Sequence, residues 1–156
     1  MLSCDVQMSS GRAMAALGPL LHVVLRPHPD IRRQPRRRTG ERVAMLIDTG
    51  AECTMVDDRT PTALGYKPAF YTTISGATGT PKSLPVYRMT MIVRMIDGDG
   101  MSHDVAFSQD IVGIDPRPHR GADFGLLGRD YLANMRLIYD GPRGVFSLVR
   151  VRPQDG

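Results

Sequence analysis

Apolar runs in this chain are short, and each is cut off within a few residues by Gly, Pro or Asp. Leu20 to Leu25 stops at Arg26-Pro27, Val43 to Ile47 at Asp48-Thr49-Gly50, and Met135 to Tyr139 at Asp140-Gly141-Pro142. Pro has no amide hydrogen for a ladder and Gly weakens an extended segment, so both punctuate strands. Phe70 to Ile74, Val105 to Val112, Phe124 to Leu127 and Val145 to Val151 read the same way. Val86 to Ile96 reads as a longer strand that turns at Asp97-Gly98-Asp99-Gly100. That makes roughly eight strands. Asp57 to Leu64 has room for a helical turn, and Asp130 can start a short helix that runs to Asn134. No long helix alternates with the strands, so a parallel α/β sheet is excluded and an all-β fold with one short helix is expected.

At 156 residues the chain fits a single domain able to bury a moderate core. Hydrophobic residues make up 42% and charged ones 23%, a globular balance rather than a disordered one. Residues 1–17 show no clear pattern and are read as a flexible N-terminal segment, with the domain over 18–156. Ala13 to Leu25 is apolar, but Gly18-Pro19 interrupts it and no basic start or small-residue cleavage site frames it. It is therefore assigned to the domain rather than to a leader. No stretch reaches the ~18 apolar residues of a membrane span. Cys4 and Cys53 are too few for a disulfide framework, which suits reduced thiols in a reducing, cytoplasmic compartment.

The formal net charge is +4, and the basic residues are unevenly placed. Arg26, Arg32, Arg33, Arg36, Arg37, Arg38 and Arg42 fall in one Pro-containing stretch. It could meet nucleic acid or another acidic partner. Without interleaved aromatics, a solvated loop explains it better. His22, His28, His103 and His119 are scattered, so no metal site is expected. Asp97-Gly98-Asp99-Gly100 lacks the acidic twelfth residue of a calcium loop, Ser108 standing there. Gly76-Ala77-Thr78-Gly79 lacks the Lys-Ser/Thr of a phosphate loop, and no Gly-x-Ser-x-Gly elbow occurs. No cofactor is implied.

One constellation carries chemistry. Asp48-Thr49-Gly50-Ala51 follows the apolar run Met45-Leu46-Ile47, so a strand delivers a carboxylate into a tight turn. Alone, the triplet is equally an ordinary turn. At long range Phe124-Gly125-Leu126-Leu127-Gly128-Arg129-Asp130 repeats the plan of an apolar run entering Gly and a charged pair. Together the two segments resemble the retropepsin family, the retroviral-type aspartic peptidases. The spacing is nearer to cellular or bacterial members than to viral ones. The resemblance spans roughly Leu20 to Val151 and implies an acid-protease β-barrel with one half-site per chain.

By that resemblance, Asp48 is the catalytic carboxylate, and a second copy of Asp48 comes from the other subunit of a homodimer. Thr49 buttresses the pair across the dimer axis and Gly50 lets substrate backbone approach. Ala51 and the small-residue hairpin tip Ser75, Gly76, Ala77, Thr78 and Gly79 contact substrate, the tip closing as a flap. Arg129 pairs with Glu52, where viral enzymes carry Asp. The implied activity is an aspartic endopeptidase acting on extended protein or peptide substrates, with Ile74, Leu84, Val86 and Leu126 as pocket walls. The alternative, from another class, is a catalytically inactive barrel serving as a peptide-binding or nucleic-acid-associated adaptor. Self-processing of the N-terminal segment is a further expectation.

Overall fold

The computed structural model describes residues 1–28, 40–75, 81–115 and 124–151. The Arg-rich stretch from Arg32 to Arg38 and the hairpin tip from Gly76 to Thr80 lie outside those residues.

Ten strands form one sheet: β1 (Ser3–Gln7), β2 (Leu20–Pro27), β3 (Glu41–Ile47), β4 (Met55–Asp57), β5 (Phe70–Ser75), β6 (Pro81–Ile96), β7 (Ser102–Ile114), β8 (Phe124–Leu127), β9 (Met135–Asp140) and β10 (Val145–Arg150). The helices are short: α1 (Gly11–Leu17), α2 (Arg59–Ala63) and α3 (Arg129–Leu132). The all-β expectation holds. Where one short helix was expected there are three among the described residues, and β1 and β4 add to the strands read from the sequence.

Six strands close on themselves. β2 pairs antiparallel with β3, β3 parallel with β8, β8 antiparallel with β4, β4 parallel with β7, β7 antiparallel with β6, and β6 antiparallel with β2. A closed ring removes the free edges that would template aggregation. β6 is the common spine. Its first part pairs with β5, its middle with β2, and its last residue, Ile96, meets Ser3 of β1. From there the antiparallel series β1-β10-β9 extends the sheet beyond the barrel.

The alternation of β6 shows why this sequence forms this barrel. Tyr87, Met89, Met91, Val93 and Met95 are buried on one face, while Arg88 and Arg94 stand exposed on the other. Arg88 and Arg94 reach across to Asp110 and Asp104 of β7, which fixes the charge pattern along the hairpin. The Asp97-Gly98-Asp99-Gly100 segment is the hairpin turn expected. The Asp97 carboxylate accepts from the amides of Asp99 and Met101, and Gly100 supplies the positive φ of 80°. With Trp absent from the sequence, Met does much of the filling, and Met14, Met45, Met89, Met91 and Met95 are all within the core.

The N-terminal segment, read from sequence as patternless, pairs along β1 with β10 and then forms α1. Ser10 caps α1 by accepting from the Ala13 amide at 3.1 Å, and Gly18 ends it at φ 75°. Met14 of this helix is buried in the core. Phe146 of β10 is 1% exposed at the heart of the same cluster. Phe146→Ala is expected to lower unfolding free energy by about 3–5 kcal/mol, read as a fall in urea midpoint at unchanged slope.

Candidate active site

The parallel pair β3–β8 sets Ile47 beside Leu127, so both strands end at the same level. The Asp48 amide continues the ladder by donating to the Leu127 carbonyl at 3.1 Å. Beyond this point the two chains stay hydrogen-bonded as loops. The Arg129 amide donates to the Ala51 carbonyl at 2.9 Å and the Asp130 amide to the Glu52 carbonyl at 3.2 Å. Asp48-Thr49-Gly50-Ala51 and Gly128-Arg129-Asp130, 80 residues apart between Thr49 and Arg129, thus form one structural unit.

Asp48 is half-buried and shapes its own turn. Its Oδ1 accepts from the amides of Gly50 at 2.8 Å and Ala51 at 3.3 Å. This leaves Oδ2 without a protein hydrogen bond among the described residues. A Cβ at Gly50 would lie 3.1 Å from that same Oδ1, so glycine leaves the carboxylate room. Thr49 is exposed beside it.

Arg129 does not form the expected pair with Glu52. Its Nη1 donates to the carbonyls of Thr49 at 3.0 Å and Gly50 at 3.1 Å, so the guanidinium latches the backbone of the turn rather than the neighbouring acid. The acid that does the internal work is Asp130. Its Oδ2 accepts from the Thr54 amide at 2.8 Å, and its Oδ1 accepts from the Thr54 hydroxyl at 2.7 Å and from the Tyr131 amide at 2.8 Å. The Thr54 hydroxyl in turn accepts from the Gly128 amide at 3.2 Å, with Thr54 fully buried. Backbones meet so closely here that a Cβ on Gly128 would sit 2.4 Å from the Cys53 carbonyl carbon. Sequence reasoning placed Thr54 and Asp130 in the motif without giving them this role. Their hydrogen-bonding types within two matched turns were the available signal.

A cleft of about 750 Å³ opens beside the turn. Gly50 and Ala51 line its floor, with Met55, and Ile74 and Ser75 of β5 with Val86 line its wall. Of the expected walls, Ile74 and Val86 are there. Leu84 instead lines a different cavity, and Leu126 is not part of the cleft lining. Gly76, Ala77, Thr78 and Gly79 lie outside the described residues. Cys53 also lines the cleft, and burial pushes its thiol up, as it does that of Cys4. Both cysteines are free.

A second cavity, about 470 Å³, lies where Asp57 and Asp58 approach β6 and β7. Its carboxylates are already engaged. Arg59 donates from Nε at 3.0 Å and from Nη2 to Asp57, which is 1% exposed. Tyr87 donates to Asp58 at 2.6 Å, and burial with that bond pushes the Tyr87 phenol up to about 12. Among the described residues no group of three His, Cys, Asp or Glu is placed to hold a metal ion, and no helix is long and apolar enough to cross a membrane.

No family model and no curated protein matches this chain. Solved structures to which this chain is similar include the EIAV protease in complex with the inhibitor HBY-793, at 19% identity and TM-score 0.36, over 74% of this chain and 85% of that one. A retropepsin-like aspartic protease from Rickettsia conorii is 14% identical at TM-score 0.44, over 83% and 94% of the two chains. The retroviral protease-like domain of Ddi1 from Leishmania major is 14% identical at TM-score 0.39, over 87% and 97%. These likenesses are distant.

Thr54→Val removes a buried hydroxyl and leaves the Gly128 amide and one Asp130 oxygen short of a partner. A loss of about 1–3 kcal/mol is expected in chemical denaturation. The hydrogen bonds from Arg59 hold the Asp57 carboxyl below its usual value, against the opposing effect of burial. A carboxyl depressed on folding stabilises the fold above its unfolded value of about 3.9, and that contribution is lost as pH falls through the lower folded value. Asp57→Asn is therefore expected to be less stable than wild type at pH 7. The gap should narrow as pH drops below about 4, as thermal melts across pH would show.

Proposed function

We propose that this chain is one subunit of a homodimeric aspartic endopeptidase, with Asp48 as its catalytic carboxylate. The observation that carries the reading is the state of Asp48. It stands at the end of β3 in a turn latched by Arg129, with one oxygen committed to the turn and the other without a protein donor among the described residues, and the next residues of that turn, Gly50 and Ala51, line a cleft of about 750 Å³.

One carboxylate per chain is half of the required chemistry, and a two-fold supplies the second Asp48 from the partner. Two carboxylates held close do not both ionise readily, so they share one proton. The ionised one takes a proton from a water lying between them. The water oxygen forms a bond to the scissile carbonyl carbon while the protonated one gives its proton to the carbonyl oxygen. The resulting gem-diol collapses, the C–N bond breaks, and the leaving amine takes up a proton. Thr49 buttresses the pair and Gly50 lets the substrate backbone come close. Ala51, Ser75 and the hairpin tip from Gly76 to Gly79 hold the peptide, which lies extended against the β5 side of the cleft.

Cleavage of a denatured protein mixture should peak at acid to mildly acid pH, because the active form holds one proton on two carboxylates. Asp48→Asn is expected to abolish it while leaving the thermal melt close to wild type, and a transition-state-mimic inhibitor of aspartic peptidases should do the same to the wild type. Turnover retained in Asp48→Asn, or a rate rising steadily to pH 9, would refute the assignment. A folded dimer with no cleavage in any sample would point to a peptide-binding module instead.

A further inference from the structure

Directly opposed residues run in a row across four strands beside the Asp48 turn. Phe70 of β5 stands opposite Val86 of β6, Val86 opposite Val112 of β7, and Val112 opposite Met55 of β4. Partners in a ladder turn their side chains to the same face of the sheet. All of them line the cleft, so its wall carries one continuous apolar band. Phe70, at the end of the row, is 45% exposed and leaves part of that band uncovered.

Carboxylates border the band. Asp110, on the same face of β7 as Val112, lines the cleft, but Arg88 engages it across the ladder. Glu52, just ahead of Met55 in the chain, also lines the cleft. It is exposed, and its carboxylate has no partner among the described residues. The cation expected to hold it, Arg129, is turned instead to the Thr49 and Gly50 carbonyls. The field on this side of the cleft is negative. The thiol of Cys53, next to Glu52 in the same lining, is pushed up first by burial and then by the charges of Asp130 and Glu52. An apolar wall with an unpaired carboxylate at its border complements one kind of side chain, a methylene stem that ends in a cation.

We propose that this cleft selects a lysine or arginine side chain of the bound peptide, with its methylenes on the band from Phe70 to Met55 and its charge at Glu52. Glu52 is then a specificity-determining residue, freed for that role because Arg129 is spent on the turn. The inference rests on the reading of this cleft as the peptide site and names the class of peptide it takes. A neutral chain of the same length covers the band and leaves Glu52 unanswered. An acidic one brings like charge to it, so the site discriminates by repulsion as well as by attraction.

The test scans Lys, norleucine or Glu through pools of otherwise uncharged synthetic peptides, since norleucine keeps the methylene stem and removes the charge. With the full chain at mildly acid pH, one position near the cleaved bond should favour Lys over norleucine in kcat/KM by roughly fivefold, the size of a partly exposed charged hydrogen bond, and should disfavour Glu. The Lys-to-norleucine ratio should fall toward one in Glu52→Gln, and Glu52→Lys should turn the preference to Glu. Both peptides meet the same preparation, so a folding defect leaves the ratio unmoved. Fluorescently labelled peptides of the same set, titrated into Asp48→Asn, should show the same order of affinity without turnover. Lys favoured in binding, with no peptide cut by the wild type, would sink the peptidase reading alone. Cleavage through Asp48 with Lys no better than norleucine, or with a preference that Glu52→Gln leaves intact, overturns this assignment alone. Peptides neither bound nor cut overturn both.

Discussion

The parallel pairing of β3 with β8 governs the rest of the site. Four residue pairs bring Ala44 through Ile47 alongside Phe124 through Leu127, and both strands run out together. A parallel pair cannot be joined by a tight turn, so the chain between them must travel far before returning. It does so through β4, α2 and the long β5-β6-β7 series, which is most of the barrel. The two polar turns therefore meet only once the barrel is built. Their union is then made by groups that have no other outlet: the Ala51 and Glu52 carbonyls, the Thr54 hydroxyl and the Asp130 carboxylate.

The carboxylates in this region are sorted by how fully they are used. Asp130 accepts from the Thr54 amide, the Thr54 hydroxyl and the Tyr131 amide, which makes it a clasp between the two turns. Asp57 is buried and wrapped by Arg59, and Asp58 receives the Tyr87 hydroxyl. Asp110 sits at the cleft but is paired with Arg88 across the β6–β7 ladder. A buried or paired carboxylate is held in one state by its donors. Asp48 has one oxygen engaged by its own turn and the other without a protein donor among the described residues. The Arg129 latch on the Thr49 and Gly50 carbonyls fixes the turn without occupying the carboxylate.

The same economy shapes the periphery. β6 is long enough to serve the barrel, the cleft wall and the outer sheet at once, so a single alternating strand ties the core to both. Its apolar face, carrying Met89, Met91 and Met95, belongs to one core cluster with residues from β2, β3, β7, β8 and β10, and the unbranched Met chains fit the uneven space inside a small barrel. α3 connects the clasp to β9, so the strand at the sheet's open edge starts from the site itself.

Much was legible from residues alone wherever a signal was local. The hairpin at Asp97-Gly98-Asp99-Gly100 follows from turn chemistry. The strands at Phe124–Leu127 and Met135–Asp140 follow from apolar runs with hard stops, and so does the end of β3 at Asp48. α1 was also legible in principle, through Ser10 before an Ala-rich run and Gly18 after it, yet too short to assert itself over the patternless residues around it. β4 has three residues and no period to read, so only its partners β7 and β8 define it. β1 likewise exists because β10 offers it an edge. The Glu52–Arg129 pair was a reasonable expectation from charge. The fold decided otherwise, because the guanidinium lies under two backbone carbonyls and charge complementarity in a sequence carries no distance. The sequence by itself determined the strand-rich class and the two motifs. Only the tertiary structure decided which carboxylate is tied and which is left free, since a hydrogen bond across 76 residues depends on where the barrel closes.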